Sequence, residues 1–172
     1  MNDNNSLDDM VSDVLHLISG NKILDVGTGF GTVLKRLLER PDTKVVSVDP
    51  EAWSFDSLSD IYEDHIKKGR LILVKSRIEE LNLTNDTFDT SIAIASLHHL
   101  GDPVAGIRKM EKLTRRSIIV TDWNSSSAGI HNPHSRDDLA GKERSLKKHA
   151  QEAGYSITDH RYWYMLHKRV EK

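Results

Sequence analysis

The chain has 172 residues, 29% of them charged and 37% apolar, with a formal net charge of -2. That balance suits one folded domain with its own core, and it supplies no global positive field to attract nucleic acid. Cysteine is absent, which excludes disulfides, thiolate chemistry and cysteine-ligated zinc or iron–sulfur clusters.

In chain order, Asp8 to Ser19 places Met10, Val11, Val14, Leu15 and Ile18 at helical spacing, and Gly20 fits a helix stop. Lys22 to Val26 is a short apolar strand. Thr32 to Arg40 predicts a helix closed by Pro41, and Lys44 to Val48 a second strand ending on Asp49-Pro50. Ser54 to Ile66 predicts a helix ended by Gly69, and Leu71 to Val74 a third strand. A fourth strand runs from Phe88 to Ala95, a helix from Pro103 to Leu113, and a fifth strand from Ser117 to Thr121. A polar loop, Asp122 to His134, precedes a long helix, Arg136 to Ala153. Two β-prone pieces close the chain, Tyr155 to Arg161 and Trp163 to Val170.

Strands alternating with helices at this spacing imply a mainly parallel sheet with helices on both faces. The last two strands have no helix between them and should pair antiparallel. No repeat or long linker interrupts the pattern. The expectation is a single domain over residues 1–172, with 1–19 a helical extension and 20–172 the core. No apolar run approaches the ~18–20 residues that cross a bilayer. The start, M-N-D-N-N-S-L-D-D-M, lacks the basic and apolar stretches of a signal peptide. A soluble cytoplasmic protein with no membrane partner is therefore expected.

The chemistry concentrates in I-L-D-V-G-T-G-F-G-T, residues 23–32. In an open α/β sheet, ligands bind beyond the carboxyl ends of the strands, and this loop lies at that edge. Glycines there let a ligand approach the backbone. The spacing is G-x-G-x-G, and Thr32 stands where the dinucleotide fingerprint G-x-G-x-x-G needs glycine. Asp25, two positions before the first glycine, can approach a ligand amine. Asp49 closes the second strand, where a carboxylate accepts from the ribose hydroxyls of an adenosine.

D-V-G-T-G-F-G at 25–31, with V-V-S-V-D-P at 45–50, resembles the Rossmann-like, class I S-adenosylmethionine-dependent methyltransferases. The resemblance covers about residues 20–170. It implies an α/β three-layer sandwich around a seven-stranded, mainly parallel sheet with an antiparallel C-terminal strand. It implies S-adenosyl-L-methionine as cofactor and S-adenosyl-L-homocysteine as product. By resemblance, Asp25 organises the loop and approaches the amino-acid part of the cofactor. Gly27, Thr28 and Gly29 line its methionine and ribose portions, and Gly31 lets the helix pack close. Asp49 holds the ribose hydroxyls, with Pro50 and Glu51 beside the adenine. The segment V-K-S-R-I-E-E-L, 74–81, departs from the pattern: Arg77 stands where the family often has an acid for the adenine amine. An arginine cannot accept that bond, which leaves stacking by Arg77 or the backbone N–H of Ile78. Glu79 and Glu80 suit a helical first turn.

The run S-L-H-H-L, 96–100, resembles a large subgroup that methylates small molecules and diverse other acceptors. It implies that Ser96 and Leu97 lie beside the cofactor sulfur and that His98 and His99 project toward the acceptor. A histidine of near-neutral pKa can take the acceptor's proton, so His98 or His99 is the candidate base, and spacing does not choose between them. Asp122, His131 and His134 could hold a divalent metal. Nine histidines in 172 residues make chance clustering easy, so the loop is read as solvated or acceptor-lining and no metal is assigned. Trp123 with Ile130 either lines an acceptor pocket or packs under the loop. Tyr162, Trp163 and Tyr164 are expected to pack the last strands or a dimer contact. The run Lys142 to Lys148 reads as a solvated helix face.

The expected function is methyl transfer to an oxygen or nitrogen of a small-molecule acceptor by a monomer or homodimer, with nucleic acid not favoured. The rivals are a cofactor-binding module without transfer activity and an NAD-dependent oxidoreductase.

Overall fold

The computed structural model describes residues 6–170, so the first five residues of the polar N-terminal stretch lie outside it. Seven strands form one sheet: β1 (Lys22–Val26), β2 (Lys44–Val48), β3 (Leu71–Val74), β4 (Phe88–Ile94), β5 (Thr114–Trp123), β6 (Ser156–Asp159) and β7 (Trp163–Arg169). Their order is β3-β2-β1-β4-β5-β7-β6. The first five are parallel neighbours, and β7 runs antiparallel to both β5 and β6. The hairpin expected at the C-terminus thus inserts its second strand against β5 and leaves β6 at the edge.

Strand residues alternate between the two faces, as a pleat demands. Leu24, Val26, Ala93, Ile118 and Val120 pack with α5 (Pro103–Leu113) and α6 (Arg136–Ala153) through Ile107, Met110 and Leu146. Ile23, Ile92 and Ile119 face the other way, toward α1 (Leu7–Leu17), α2 (Leu34–Leu38) and α3 (Phe55–Ile61), meeting Val14, Leu34, Leu37 and Leu58. This is the three-layer Rossmann-like arrangement. A third cluster, Met10, Trp123, Leu139 and Trp163, closes the sheet where the carboxyl end of β5 meets the amino end of β7.

Several boundaries differ from expectation. The helix expected over 32–40 is regular only over Leu34–Leu38, and Val33 makes no side-chain cap at its start. The helix expected over 54–66 breaks at Tyr62 (φ -110°, ψ 23°) into α3 and α4 (Glu63–Lys67). Glu79 and Glu80 sit in a single 3₁₀ turn rather than an α-helix. β5 is twice its expected length because it is paired on both sides. β4 meets it from Thr114 to Thr121, and β7 from Ser117 to Trp123.

The chain moves outward from β1 to β2 and β3, then returns to place β4 on the other side of β1. The loops after β1 and β4 therefore diverge and leave a crevice between them. That is the switch point at which open α/β sheets bind ligands.

Candidate active site

After Val26 the chain turns through Gly27 and Gly29, whose φ values are +91° and +50°. These are left-handed conformations that cost an L side chain energy. The turn is pinned to β2, with the N–H groups of Gly27 and Thr28 donating to the Val48 carbonyl at 2.8 and 3.3 Å. A Cβ on Gly27 would lie 2.4 Å from Cβ of Ser96, whose hydroxyl in turn donates to the Val26 carbonyl at 2.6 Å. A Cβ on Gly31 would lie 2.6 Å from Leu58 of α3 and 3.5 Å from Leu34 of the helix that follows the loop, with the tighter approach on the α3 side. Gly29 faces open space, with nothing within 4 Å of a built Cβ.

Asp25 is buried beneath this loop. The Ser47 hydroxyl donates to its Oδ2 at 2.7 Å, and the Thr28 hydroxyl lies 2.7 Å from that of Ser47. Burial pushes the Asp25 carboxyl up to about 7; the Ser47 bond opposes this and the neighbouring Asp49 adds to it. Asp49 is held from two sides, its Oδ2 accepting from Gly29 N–H at 3.0 Å and its Oδ1 from Glu51 N–H at 2.9 Å. A carboxylate offers about four acceptor positions, so each oxygen keeps one for a ligand. The Ser54 hydroxyl donates to the Gly29 carbonyl and fixes the far side of the loop.

A cavity of about 820 Å³ opens above these groups. Asp25, Gly27, Thr28, Gly29, Asp49, Pro50, Arg77, Ile78, Ser96 and His99 all line it, whereas Gly31 and His98 do not. Leu7 and Val11 of α1 supply one wall. At the rim stand Phe30 and Trp53, 78% and 57% exposed, their rings edge to face with centroids 4.3 Å apart. Sequence reasoning missed this pair, and also Ser47 and Ser54. Ser47 left a signal, a lone hydroxyl inside the apolar run V-V-S-V.

The two adjacent histidines have different surroundings. His98 is buried, with Nδ1 2.5 Å from Asp122 Oδ1 and its backbone N–H donating to Asp122 Oδ2 at 2.9 Å. Its Nε2 accepts from the Asn132 amide at 3.1 Å, and that amide's oxygen accepts from His134 N–H at 2.8 Å. Both ring nitrogens of His98 are thus occupied within the protein. His99 is exposed on the cavity wall. Its Nδ1 lies 3.3 Å from His134 Nε2. Desolvation lowers the His99 pKa below the usual histidine value, and His98 and His134 lower it further. The 3₁₀ turn that carries both, Leu97–His99, is clamped by Lys142, whose ammonium donates to the His98 and Leu100 carbonyls at 2.8 and 2.6 Å.

The set Asp122, His131 and His134, to which no metal was assigned, does not converge. Asp122 faces His98, while His131 stacks on Trp123, with ring centroids 5.4 Å apart, and meets Tyr162 edge to face. Instead His98, His99 and His134 come together. Trp123 packs under the loop with Met10, Leu139 and Trp163, and Ile130 is exposed. Trp163 and Tyr164 are buried in the last strands. Nor is the run 142–148 simply solvated: Lys142 clamps the histidine turn, and Lys147 pairs with Glu143 and Asp159.

The chain belongs to the methyltransferase domain family, whose profile matches residues 23–117, more than half its length. It is 31% identical over 93 residues to a tRNA U34 carboxymethyltransferase of Dichelobacter nodosus, covering 54% of this chain and 29% of that protein. It is 26% identical over 96 residues to an O-methyltransferase of Pyrenophora dematioidea, covering 56% of this chain and 36% of that one. The match spans well under half the length of either relative. A SAM-dependent methyltransferase from Aquifex aeolicus shares the fold, with a TM-score of 0.73 at 17% identity over 94% of this chain and 89% of that chain. Among the described residues no helix is long and apolar enough to cross a membrane.

Proposed function

We propose that this chain is an S-adenosylmethionine-dependent methyltransferase of the L-H-H-L subgroup, acting on an oxygen or nitrogen of a small acceptor. The observation that carries the reading is the pairing of the two acids with the glycine turn. Asp49 presents anchored oxygens beside Gly29, and Asp25 is a buried acid whose side-chain bond comes from a neutral hydroxyl. The first suits a pair of ribose hydroxyls and the second a ligand amine. These residues fit S-adenosylmethionine, and Gly29 has open space where a side chain would intrude.

When bound, the cofactor supplies a methyl group already activated on a sulfonium, so the protein's work is alignment, desolvation and proton removal. Ser96, fixed to the Val26 carbonyl, marks the end of β4 at the cavity. Leu7 and Val11 exclude water from one side. The acceptor's proton leaves toward the histidine cluster, of which His99 is the member on the cavity wall. His98 positions that turn through Asp122 and Asn132.

An RNA acceptor is the second reading. It is favoured by the D. nodosus relative's name and by Phe30, Trp53 and Arg77 around the cavity, since exposed rings and guanidinium groups stack on unpaired bases. Calorimetric titration with S-adenosylmethionine, S-adenosylhomocysteine and NAD in parallel tests the cofactor. Saturable binding of the first two and none of NAD is expected; the reverse pattern, or silence from all three, overturns it. Steeply salt-dependent binding of unmodified tRNA would replace the small acceptor with RNA.

A further inference from the structure

We propose that His98, His99 and His134 form a binding site for a divalent first-row transition-metal ion beside the cavity. One ring nitrogen from each lies within 4.8 Å of the others. The three imidazoles touch, with ring centroids 4.0, 5.2 and 5.1 Å apart.

The distances decide between a ligand set and a chance huddle of rings. Two nitrogens on one tetrahedral ion, each about 2.1 Å from it, stand about 3.4 Å apart. His99 Nδ1 and His134 Nε2 are 3.3 Å apart. Bringing in the third nitrogen from at most 4.8 Å takes side-chain movement on the order of 1 Å. For His98 the adjustment is the release of Nε2 by the Asn132 amide, since Nδ1 is committed to Asp122.

The surroundings point the same way. A metal-binding histidine almost always turns its other nitrogen to a carboxylate or carbonyl, which sets the tautomer and raises basicity. His98 Nδ1 faces Asp122 at 2.5 Å, and His134 Nδ1 faces Asp138 at 3.4 Å. Two carboxylate-backed imidazoles from separate segments thus converge with His99. An all-imidazole set suits zinc, cobalt, nickel, iron or copper and is a poor match for magnesium or calcium, which take oxygen ligands.

Three protein ligands leave a further coordination position for water or an acceptor oxygen. Because His99 also lines the cavity, an ion here would hold a hydroxyl-bearing acceptor at the cavity's edge. The coordinated hydroxyl would then lose its proton to solvent more readily than when free. With the ion present, His99 contributes to proton removal as a ligand rather than as a free base.

The test is metal binding by the tag-free, full-length chain, stripped with a chelator and titrated with Co²⁺ and then Zn²⁺ in the absence of any methyl donor. Its outcome is therefore separate from that of the methyl-transfer reading. The expected result is one equivalent of Co²⁺ taken up, with the visible absorption of a four- or five-coordinate ion. Zn²⁺ should displace it and millimolar Mg²⁺ should not. His99→Ala and His134→Ala should each weaken uptake by about 100-fold or more without lowering the melting temperature. Asp138→Asn should weaken it by about 10-fold, and the exposed His16→Ala should leave it unchanged. Absence of saturable uptake at one equivalent, or uptake that survives His99→Ala or His134→Ala, overturns the site.

Discussion

Asp49 holds its place through the Gly29 and Glu51 amides, so its carboxylate is oriented before any ligand arrives. On the proposed reading Asp49→Ala would remove two charge-assisted bonds to a ribose, and each such bond contributes about 1.5–3 kcal/mol. Affinity for S-adenosylhomocysteine should fall by at least about 100-fold while the melting curve stays near that of the parent; unchanged affinity in calorimetry would remove the ribose assignment. The two histidines call for opposite predictions. His98→Ala leaves Asp122 buried with only the amides of His98 and Trp123 for partners, a loss of about 3 kcal/mol measurable by denaturant unfolding. His99→Ala, at an exposed position, should leave stability unchanged and reduce methyl transfer once an acceptor is known. The motif letters carried the pocket acids and glycines, because glycines at the end of a buried strand let a ligand approach the backbone at the sheet edge. They did not separate His98 from His99. That difference comes from Asp122, Asn132 and Lys142, contributed by three distant segments whose approach depends on the packing of α6 against the sheet.

At the scale of elements, α1 shows how a cap supports a site. The Ser6 hydroxyl accepts from Asp9 N–H at 3.3 Å, and the Asp9 carboxylate accepts from Ser6 N–H at 2.8 Å, a reciprocal capping box. This fixes the first turn, which carries Leu7 to the cavity and Met10 to the third core cluster. Ser6→Ala should cost about 1 kcal/mol and lower the melting temperature by about 2–4 °C for a chain this size. Scanning calorimetry of the two proteins checks it, and a shift within error would mean that the cap is not formed in solution. The parallel strands were legible because their apolar runs are short and bounded by Gly, Pro or Asp. The length of β5 was not: Thr114 to Ser117 reads T-R-R-S, and only pairing with β4 and β7 makes strand of it. The break at Tyr62 was hidden for a related reason. The residues around it all tolerate a helix, while Leu58 abuts Gly31 and the Tyr62 ring packs on the same cluster, contacts made by tertiary structure rather than by local sequence.

For the whole molecule, the buried acid couples cofactor binding to stability and pH. Asp25 has an ordinary carboxyl pKa of 3.8 when unfolded and one of about 7 in the fold. Between those values the folded state binds more protons than the unfolded state, so its stability falls as pH rises from about 4 to about 7 and is level beyond. A ligand amine beside Asp25 favours the ionised form and reverses the term, so binding should release a proton below pH 7 and tighten as pH rises. Ligand at about 100 times its Kd stabilises by about 2.7 kcal/mol, which corresponds to a melting shift of about 5–10 °C here. Melting scans with S-adenosylhomocysteine at fixed concentration should therefore show a larger shift at pH 8 than at pH 5.5. Asp25→Asn keeps the shape and the Ser47 contact but removes the titration. Its free form should lose the decline in stability attributable to Asp25 between pH 4 and 7, and its ligand-induced shift should lose the corresponding pH dependence. A parent protein whose ligand shift is the same at both pH values would place the cofactor amine away from Asp25 and leave that acid the simpler role of holding Ser47 and Thr28 beneath the glycine turn.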